Sequence, residues 1–354
     1  MPEANTSQSS NIQELRKIIE GYHGEKIRIM EVCGTHTHEV FRLGIRQLLP
    51  PEIQLISGPG CPVCVTPADF IDEASWLARE KQVTICTFGD LVRVPGTEGS
   101  LATTRSEGAK IQVVYTPLDA VSYAREHPEE QVCFLSVGFE TTTPAVCLAV
   151  KRAAGLHLTN FTLLTANKTM DEAYRVMAGS ADAYLYPGHV CAITGTAPLE
   201  QLAAQDVSGV VAGFTAAELL AALAVIVKRQ PKGLPFFENC YPRVVTKEGN
   251  PAARRLVQAF MEPCDAEWRG LGIMKKSGMC LKPDFAAFDA RKKFSVPKME
   301  GRTNPACRCG EVLQGKCLPK DCPIFSRLCT PDHPIGACMV SQEGACSAYY
   351  QYSL

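Results

Sequence analysis

Three thiols and two imidazoles lie between residues 33 and 64 of this 354-residue chain, in the stretches MEVCGTHTHEV and ISGPGCPVCVTP. Cys33, followed by His36 and His38, ends an apolar run and opens a helical pattern. A thiol at a helix start meets free N–H groups and the positive end of the helix dipole, which favours its thiolate. Thiolate with imidazole suits a divalent metal such as iron or zinc. The competing reading makes Cys33 a buried small residue and Thr35 a helix cap. Side chains two apart on a helix diverge, so at most one of His36 and His38 reaches such a site. Cys61 and Cys64, in Cys-Pro-Val-Cys, have the spacing of a reversible disulfide or of half a tetrahedral metal site. No second pair stands at zinc-ribbon distance. The Gly58-Pro59-Gly60 lead-in reads as an exposed, rigid loop, so redox chemistry or transient metal binding is favoured over structural zinc.

Further groups follow later in the chain. Gly138-Phe139-Glu140-Thr141-Thr142-Thr143-Pro144 offers a carboxylate, three hydroxyls and a helix start, which suit a polar or anionic ligand. Its plainer reading is a helix cap centred on Thr143. Pro187-Gly188-His189-Val190-Cys191 carries one imidazole and one thiol; taken alone it reads as a turn. Seventeen cysteines are many, and seven of them (Cys307, Cys309, Cys317, Cys322, Cys329, Cys338, Cys346) fall in the last 48 residues. That segment is rich in Pro and Gly and poor in apolar periodicity, so a metal cross-link would supply stability it otherwise lacks. Thiols with His333 as the one nearby histidine favour an iron–sulfur cluster, with structural zinc second. The spacings do not match ferredoxin runs. Cys309, Cys322, Cys329 and Cys346 are the chosen ligands, with Cys307 and Cys338 as substitutes.

These groups need elements to position them. Short apolar runs at 26–32, 52–57, 82–88, 110–116, 131–137, 160–166, 183–186 and 207–213 alternate with helical patterns and end in Gly/Pro/Thr-rich turns. That alternation predicts an α/β protein with parallel sheets covered on both faces. Four plus four strands suggest two Rossmann-like α/β domains around a cleft, over 1–120 and 121–230. A smaller, irregular, cysteine-rich C-terminal region follows over 231–354. Each unusual motif stands at the carboxyl end of its strand, where open parallel sheets bind ligands. Glu140 to Thr143 and His189 are expected on the wall facing Cys33–Cys64.

Composition bounds the function. Net charge is −1 without long blocks of one sign, which argues against nucleic-acid or anionic-membrane partners. The apolar run 210–227 is interrupted by Thr215-Ala-Ala-Glu218, a capping box that starts a helix near Ala216. What remains is a buried strand and a helix too short to span a bilayer. The N-terminal residues show no apolar signal core, so the expected setting is cytoplasmic and reducing, where cysteines serve metal or redox chemistry more than disulfide frameworks.

CGTHTH (33–38), GPGCPVC (58–64), GFETTTP (138–144), PGHV (187–190) and CTPDHPIGACMVSQEGACSAYY (329–350) together resemble the D-protein family of the Hyp hydrogenase-maturation machinery. The motifs stand in the family's order over nearly the whole chain. The resemblance implies a scaffold on which the Fe(CN)2CO group of [NiFe]-hydrogenase is assembled before delivery to the large-subunit precursor. It implies iron(II) held between Cys33 and a small partner chaperone, the C component, with cyanide from the E component. Cys61 and Cys64 would supply thiol-redox chemistry, fed by a C-terminal [4Fe-4S] cluster. Cys61 and Cys64 are also candidate metal ligands; His36, His38, Glu140, Thr141, Thr142 and His189 are the candidate assisting groups. Cys191 stands where a small hydroxyl residue is expected after PGHV. Two other classes compete: an iron–sulfur-dependent protein disulfide reductase, with Cys61 and Cys64 as its dithiol, and a zinc-stapled binding module.

Overall fold

The computed structural model describes residues 3–353, with side chains from Asn11 onward. Its strands are β1 Ile27–Glu31, β2 Ile53–Ser57, β3 Thr84–Thr87, β4 Ile111–Val113, β5 Val132–Gly138, β6 Phe161–Asn167, β7 Ala183–Pro187, β8 Gly209–Ala212, β9 Phe237–Asn239, β10 Met261–Trp268 and β11 Gly272–Leu281. All eight apolar runs form strands. Every residue of β3, β5, β7 and β8 is buried, as expected of parallel strands covered on both faces.

Two parallel sheets result, with strand orders β2-β1-β7-β8-β9 and β4-β3-β5-β6. Successive residues serve opposite faces. Ile29 packs with Leu185, Val210 and the helix Ala216–Arg229, while Met30 faces a second core with Tyr184, Tyr186 and Val211. That second core also holds Phe139, Cys61, Cys64, Trp268 and Cys309, so it lies between the sheets and the C-terminal region. Thr215 and Glu218 form the expected reciprocal cap at the start of the helix Ala216–Arg229. No helix of the described residues is long and apolar enough to cross a membrane.

The strands are not grouped in chain order. The chain leaves the first sheet after β2, builds all of the second sheet from β3 to β6, and returns at β7. A division at residue 120 would separate β3 and β4 from β5 and β6, with which they share a sheet. A parallel strand reaches its neighbour through a crossover, and these apolar runs are chemically alike, so their partners are chosen by tertiary packing. Beyond residue 231 the chain is also more regular than its sequence suggested. β9 extends the first sheet, and β10 and β11 form a long antiparallel hairpin with a bulge between Cys264 and Ala266.

Candidate thiol and metal centre

Cys33 follows β1 directly and is the N-cap residue of the helix Gly34–Arg42. A buried polar network fixes this junction. Glu31, fully buried, accepts from Arg46 Nη2 at 2.9 Å and from Thr37 Oγ1 at 2.8 Å. Burial pushes the Glu31 carboxyl up, and the Arg46 guanidinium and Thr37 pull it back down. Cys33 itself is buried, and burial raises its thiol to about 12, helped by the Glu343 carboxylate and opposed by the N–H groups of His36 and Thr35. The helix start therefore does not make Cys33 a free thiolate, as its position suggested; desolvation outweighs the dipole.

The Cys61-Pro62-Val63-Cys64 loop lies alongside. Its cysteines form a disulfide, and the Cys64 N–H donates to Cys61 Sγ at 3.1 Å. The Gly58-Pro59-Gly60 lead-in is buried, contrary to the exposed loop expected. The reason is close backbone approach. A Cβ on Gly60 would sit 2.2 Å from the Cys33 backbone nitrogen, and the Gly34 N–H donates to the Gly60 carbonyl at 3.0 Å. The helix after this loop runs Ala68–Glu80 with Pro67 at its N-cap, and Thr66 Oγ1 donates to the Pro62 carbonyl.

The two histidines diverge, as their spacing required. His36 is fully buried and its Nε2 lies 3.0 Å from the Gly213 carbonyl, while His38 Nε2 lies 3.2 Å from the Tyr352 hydroxyl. A carbonyl only accepts, so His36 Nε2 carries the proton, and Nδ1 is left as a buried acceptor without a partner. Burial, with His189 nearby, lowers His36 to about 3; burial alone lowers His189 to about 4. Both imidazoles pack on Phe214, with ring centroids at 4.8 and 5.2 Å. His189 thus stands beside Cys33 on the same sheet, at the end of β7 next to β1, and not on the facing wall.

The facing sheet contributes Glu140, at the end of β5. Its Oε1 accepts from the Met170 N–H at 2.8 Å, and its buried Oε2 has no partner. Burial and the Asp171 carboxylate raise Glu140 to about 8. Thr141 is exposed, and Thr142 is half-buried against Gly138. Thr143 is already inside the helix Thr143–Gly155, where its hydroxyl donates to the Phe139 carbonyl at 3.0 Å without capping the helix. Cys191 is buried in the helix Gly188–Thr194, its thiol pushed up by burial and then by Glu140, Asp171 and Cys33.

The C-terminal thiols converge. Cys307, Cys309, Cys322, Cys329, Cys338 and Cys346 line one small cavity, whose other walls include Val312, Ile324, Phe325 and Met339. Cys317 is not among the lining residues. Cys309 Sγ lies 2.8 Å from Cys338 Sγ, and the Ile335 N–H donates to Cys329 Sγ at 3.3 Å. Hydrogen bonds from Cys307 and Cys338 hold Cys309 well below the usual thiol range. Six thiols without a lining carboxylate or imidazole make an all-sulfur donor set that fits an iron–sulfur cluster. The single-turn helix Ala337–Val340, which carries Cys338, packs on the Cys61–Cys64 turn Pro62–Val65. Glu343 accepts from Thr35 Oγ1 at 2.8 Å, and its carbonyl leaves no room for a Cβ on Gly34.

Sequence reasoning missed Glu31, Arg46 and Glu343. A charge at the buried end of an otherwise apolar strand was the available signal for Glu31. The other two become visible only through contacts distant in sequence.

Fold and site together define a two-sheet α/β thiol protein, with a dithiol loop and a cysteine-lined cavity flanking a lone strand-end cysteine. The family model HypD, described as "Hydrogenase formation hypA family", matches residues 7–353. The chain is 42% identical over 332 residues to the hydrogenase maturation factor HypD of Escherichia coli K12, covering 92% of this chain and 89% of that protein. It is 41% identical over 336 residues to the factor of the same name from Rhizobium leguminosarum bv. viciae, covering 91% and 87%. It is 40% identical over 337 residues to the hydrogenase expression/formation protein HupD of Azotobacter chroococcum, covering 92% and 89%. This chain belongs to the HypD family.

Proposed function

We propose that the chain is a hydrogenase maturation factor that works as an assembly scaffold. Iron(II) is its cargo, held at Cys33 with a small partner chaperone (the C component) while cyanide, donated by the E component, and CO are added. The resulting Fe(CN)2CO group passes to the hydrogenase large-subunit precursor, in the cytoplasm. The observation that carries this reading is the shared core that joins Cys61, Cys64, Cys309 and Cys338, with Gly60 pressed against the Cys33 backbone. A metal-binding thiol and two redox-capable sulfur groups within one buried region suit a metal carried in a reduced state.

The residues divide the work. Cys33 is a neutral thiol in the free chain, so iron binding must displace its proton. His36, in the first turn of the helix that Cys33 caps, has Nδ1 as a buried acceptor, and its ring stays neutral at physiological pH. Glu140, at about 8, keeps its proton at neutral pH and can donate it in a hydrogen bond from the facing sheet. Thr141 and Thr142 add hydroxyls at that edge. Reducing the Cys61–Cys64 disulfide breaks one S–S bond and takes up two electrons and two protons; re-forming it returns them. A [4Fe-4S] cluster held by four of the six cavity thiols supplies one-electron transfer when bound.

The disulfide reductase reading is disfavoured by burial. A protein substrate must reach the attacking sulfur, and Cys61 and Cys64 are only 3% and 0% exposed. Metal analysis of anaerobically purified protein tests the scaffold reading. It is expected to give acid-labile sulfide and iron in excess of that sulfide. Zinc without sulfide would instead support a zinc-stapled module.

A further inference from the structure

The corner between β10 and β11 touches both sulfur groups that the proposed function uses. The Arg269 N–H donates to the Val65 carbonyl, and Arg269 Nε donates to the Thr66 carbonyl, both at 2.8 Å. These bonds close the carbonyl end of the Cys61–Cys64 turn. Gly270, the next residue, packs so tightly that a Cβ on it would lie 2.3 Å from Gly310 Cα. Gly310 belongs to the short helix that begins at Cys309. Two consecutive residues thus tie the dithiol turn to the wall of the thiol cavity. Arg269 also shares a surface pocket with Ile335, whose N–H donates to Cys329.

The guanidinium is unusually placed. Arg269 is 8% exposed, its Nη2 is buried without a partner, and it enters no ion pair among the described residues. Arginine stays charged in proteins, and burying Nη2 without a partner is costly even though Nε is bonded to Thr66. Arg269 is bonded to the residues that follow Cys64, and its charge adds to the hydrogen bonds from Cys307 and Cys338 in pulling the Cys309 thiol down, so it stabilises the more negative state of the sulfur groups on either side.

We infer that Arg269 is a positioning residue that holds the dithiol turn against the thiol cavity, and that its fixed charge favours the reduced form of the Cys61–Cys64 pair. The inference rests on the reading of that pair as redox-active. On reduction the S–S bond breaks and two electrons enter, giving two thiolates that both take up protons at low pH and of which one stays charged at alkaline pH. A positive charge nearby favours the thiolate over the thiol and so shifts the equilibrium toward reduction wherever the pH leaves one of the two sulfurs unprotonated.

The test equilibrates the anaerobic full-length protein in mixtures of reduced and oxidised dithiothreitol. Two dithiothreitol thiols close to a cyclic disulfide for each protein disulfide opened, so the electrons balance, and any proton the protein sulfurs do not take up goes to the buffer. Acid quenching, alkylation and mass spectrometry then give the reduced fraction of Cys61–Cys64. With the mixtures held at pH 9, where a thiolate persists, Arg269→Gln is expected to lower the equilibrium constant for reduction about tenfold, which is about 30 mV, and at pH 6 the difference is expected to shrink to within about twofold. Arg269→Lys, which keeps the charge but loses the Nε geometry, is expected to stay within about threefold of wild type. Should Arg269→Gln fail to fold, Arg269→Met against Arg269→Lys makes the same comparison. Equal shifts in the neutral and lysine variants, or no shift in either, would overturn the assigned charge effect. A wild-type pair that no buffer reduces would overturn the redox reading of Cys61–Cys64 itself.

Discussion

At the scale of single residues, burial decides the protonation of the site. Glu140 has its carboxyl raised to about 8 in the fold and an ordinary carboxylate value when unfolded. Between those values the folded chain holds a proton that the unfolded chain releases, so this residue's contribution to stability falls as pH rises from about 4.5 to about 8. His36 acts with the opposite sign. Its value falls to about 3, so between there and about 6.5 the unfolded chain binds the extra proton and stability rises with pH. Glu140→Gln should remove the alkaline loss, worth roughly 2–5 kcal/mol for a shift of this size. Urea melts of both proteins at pH 5 and pH 8 check it: the wild type should lose stability between the two relative to the variant, and parallel behaviour would contradict the assignment. The chemistry-bearing residues were legible in sequence because cysteine and histidine clusters are rare. Their protonation was not, since desolvation depends on neighbours that the local sequence does not name. Cys33 shows this most clearly: its place at a helix start argued for a thiolate, and its surroundings make it a thiol.

At the scale of elements, the tight contacts between loops locate the site. Gly60 meets the Cys33 backbone where no side chain fits. Gly60→Ala should therefore cost roughly 2–4 kcal/mol, because backbone on both sides must move. Calorimetry should show this as a lower Tm, and a variant as stable as wild type would contradict the contact. The capping box at Thr215 predicts a smaller effect, with Thr215→Ala losing about 1 kcal/mol without perturbing the sulfur groups. Apolar periodicity and turn residues made the eight strands readable, and Thr215 with Glu218 marked a helix start to the residue. The hairpin β10–β11 was missed because MEPCDAEW and GIMKKSGMCL mix charges, cysteines and glycine on a ribbon whose burial alternates irregularly. Sheet membership was also hidden: nothing within β7 says that it lies beside β1 and not beside β6.

At the scale of the whole molecule, the C-terminal region is the lid of the site as well as a cysteine store. Its thiols close one cavity, Glu343 reaches Thr35, and Tyr349 packs edge-on against Phe41 at 4.6 Å. A cluster bound by that region should stabilise it, since metal-binding energy becomes folding energy where the apolar core is small. Oxidative loss of the cluster should therefore speed limited proteolysis beyond about residue 300 while the two sheets stay resistant; uniform digestion would contradict this. Cys317→Ala should leave iron and sulfide content unchanged, whereas loss of any true ligand should lower both. The central claim is that Cys33 holds the iron cargo, and infrared spectroscopy tests it most directly. The anaerobic complex with the small partner chaperone should show cyanide and CO stretching bands in the wild type and none in Cys33→Ala. Bands at full strength in Cys33→Ala would contradict the account.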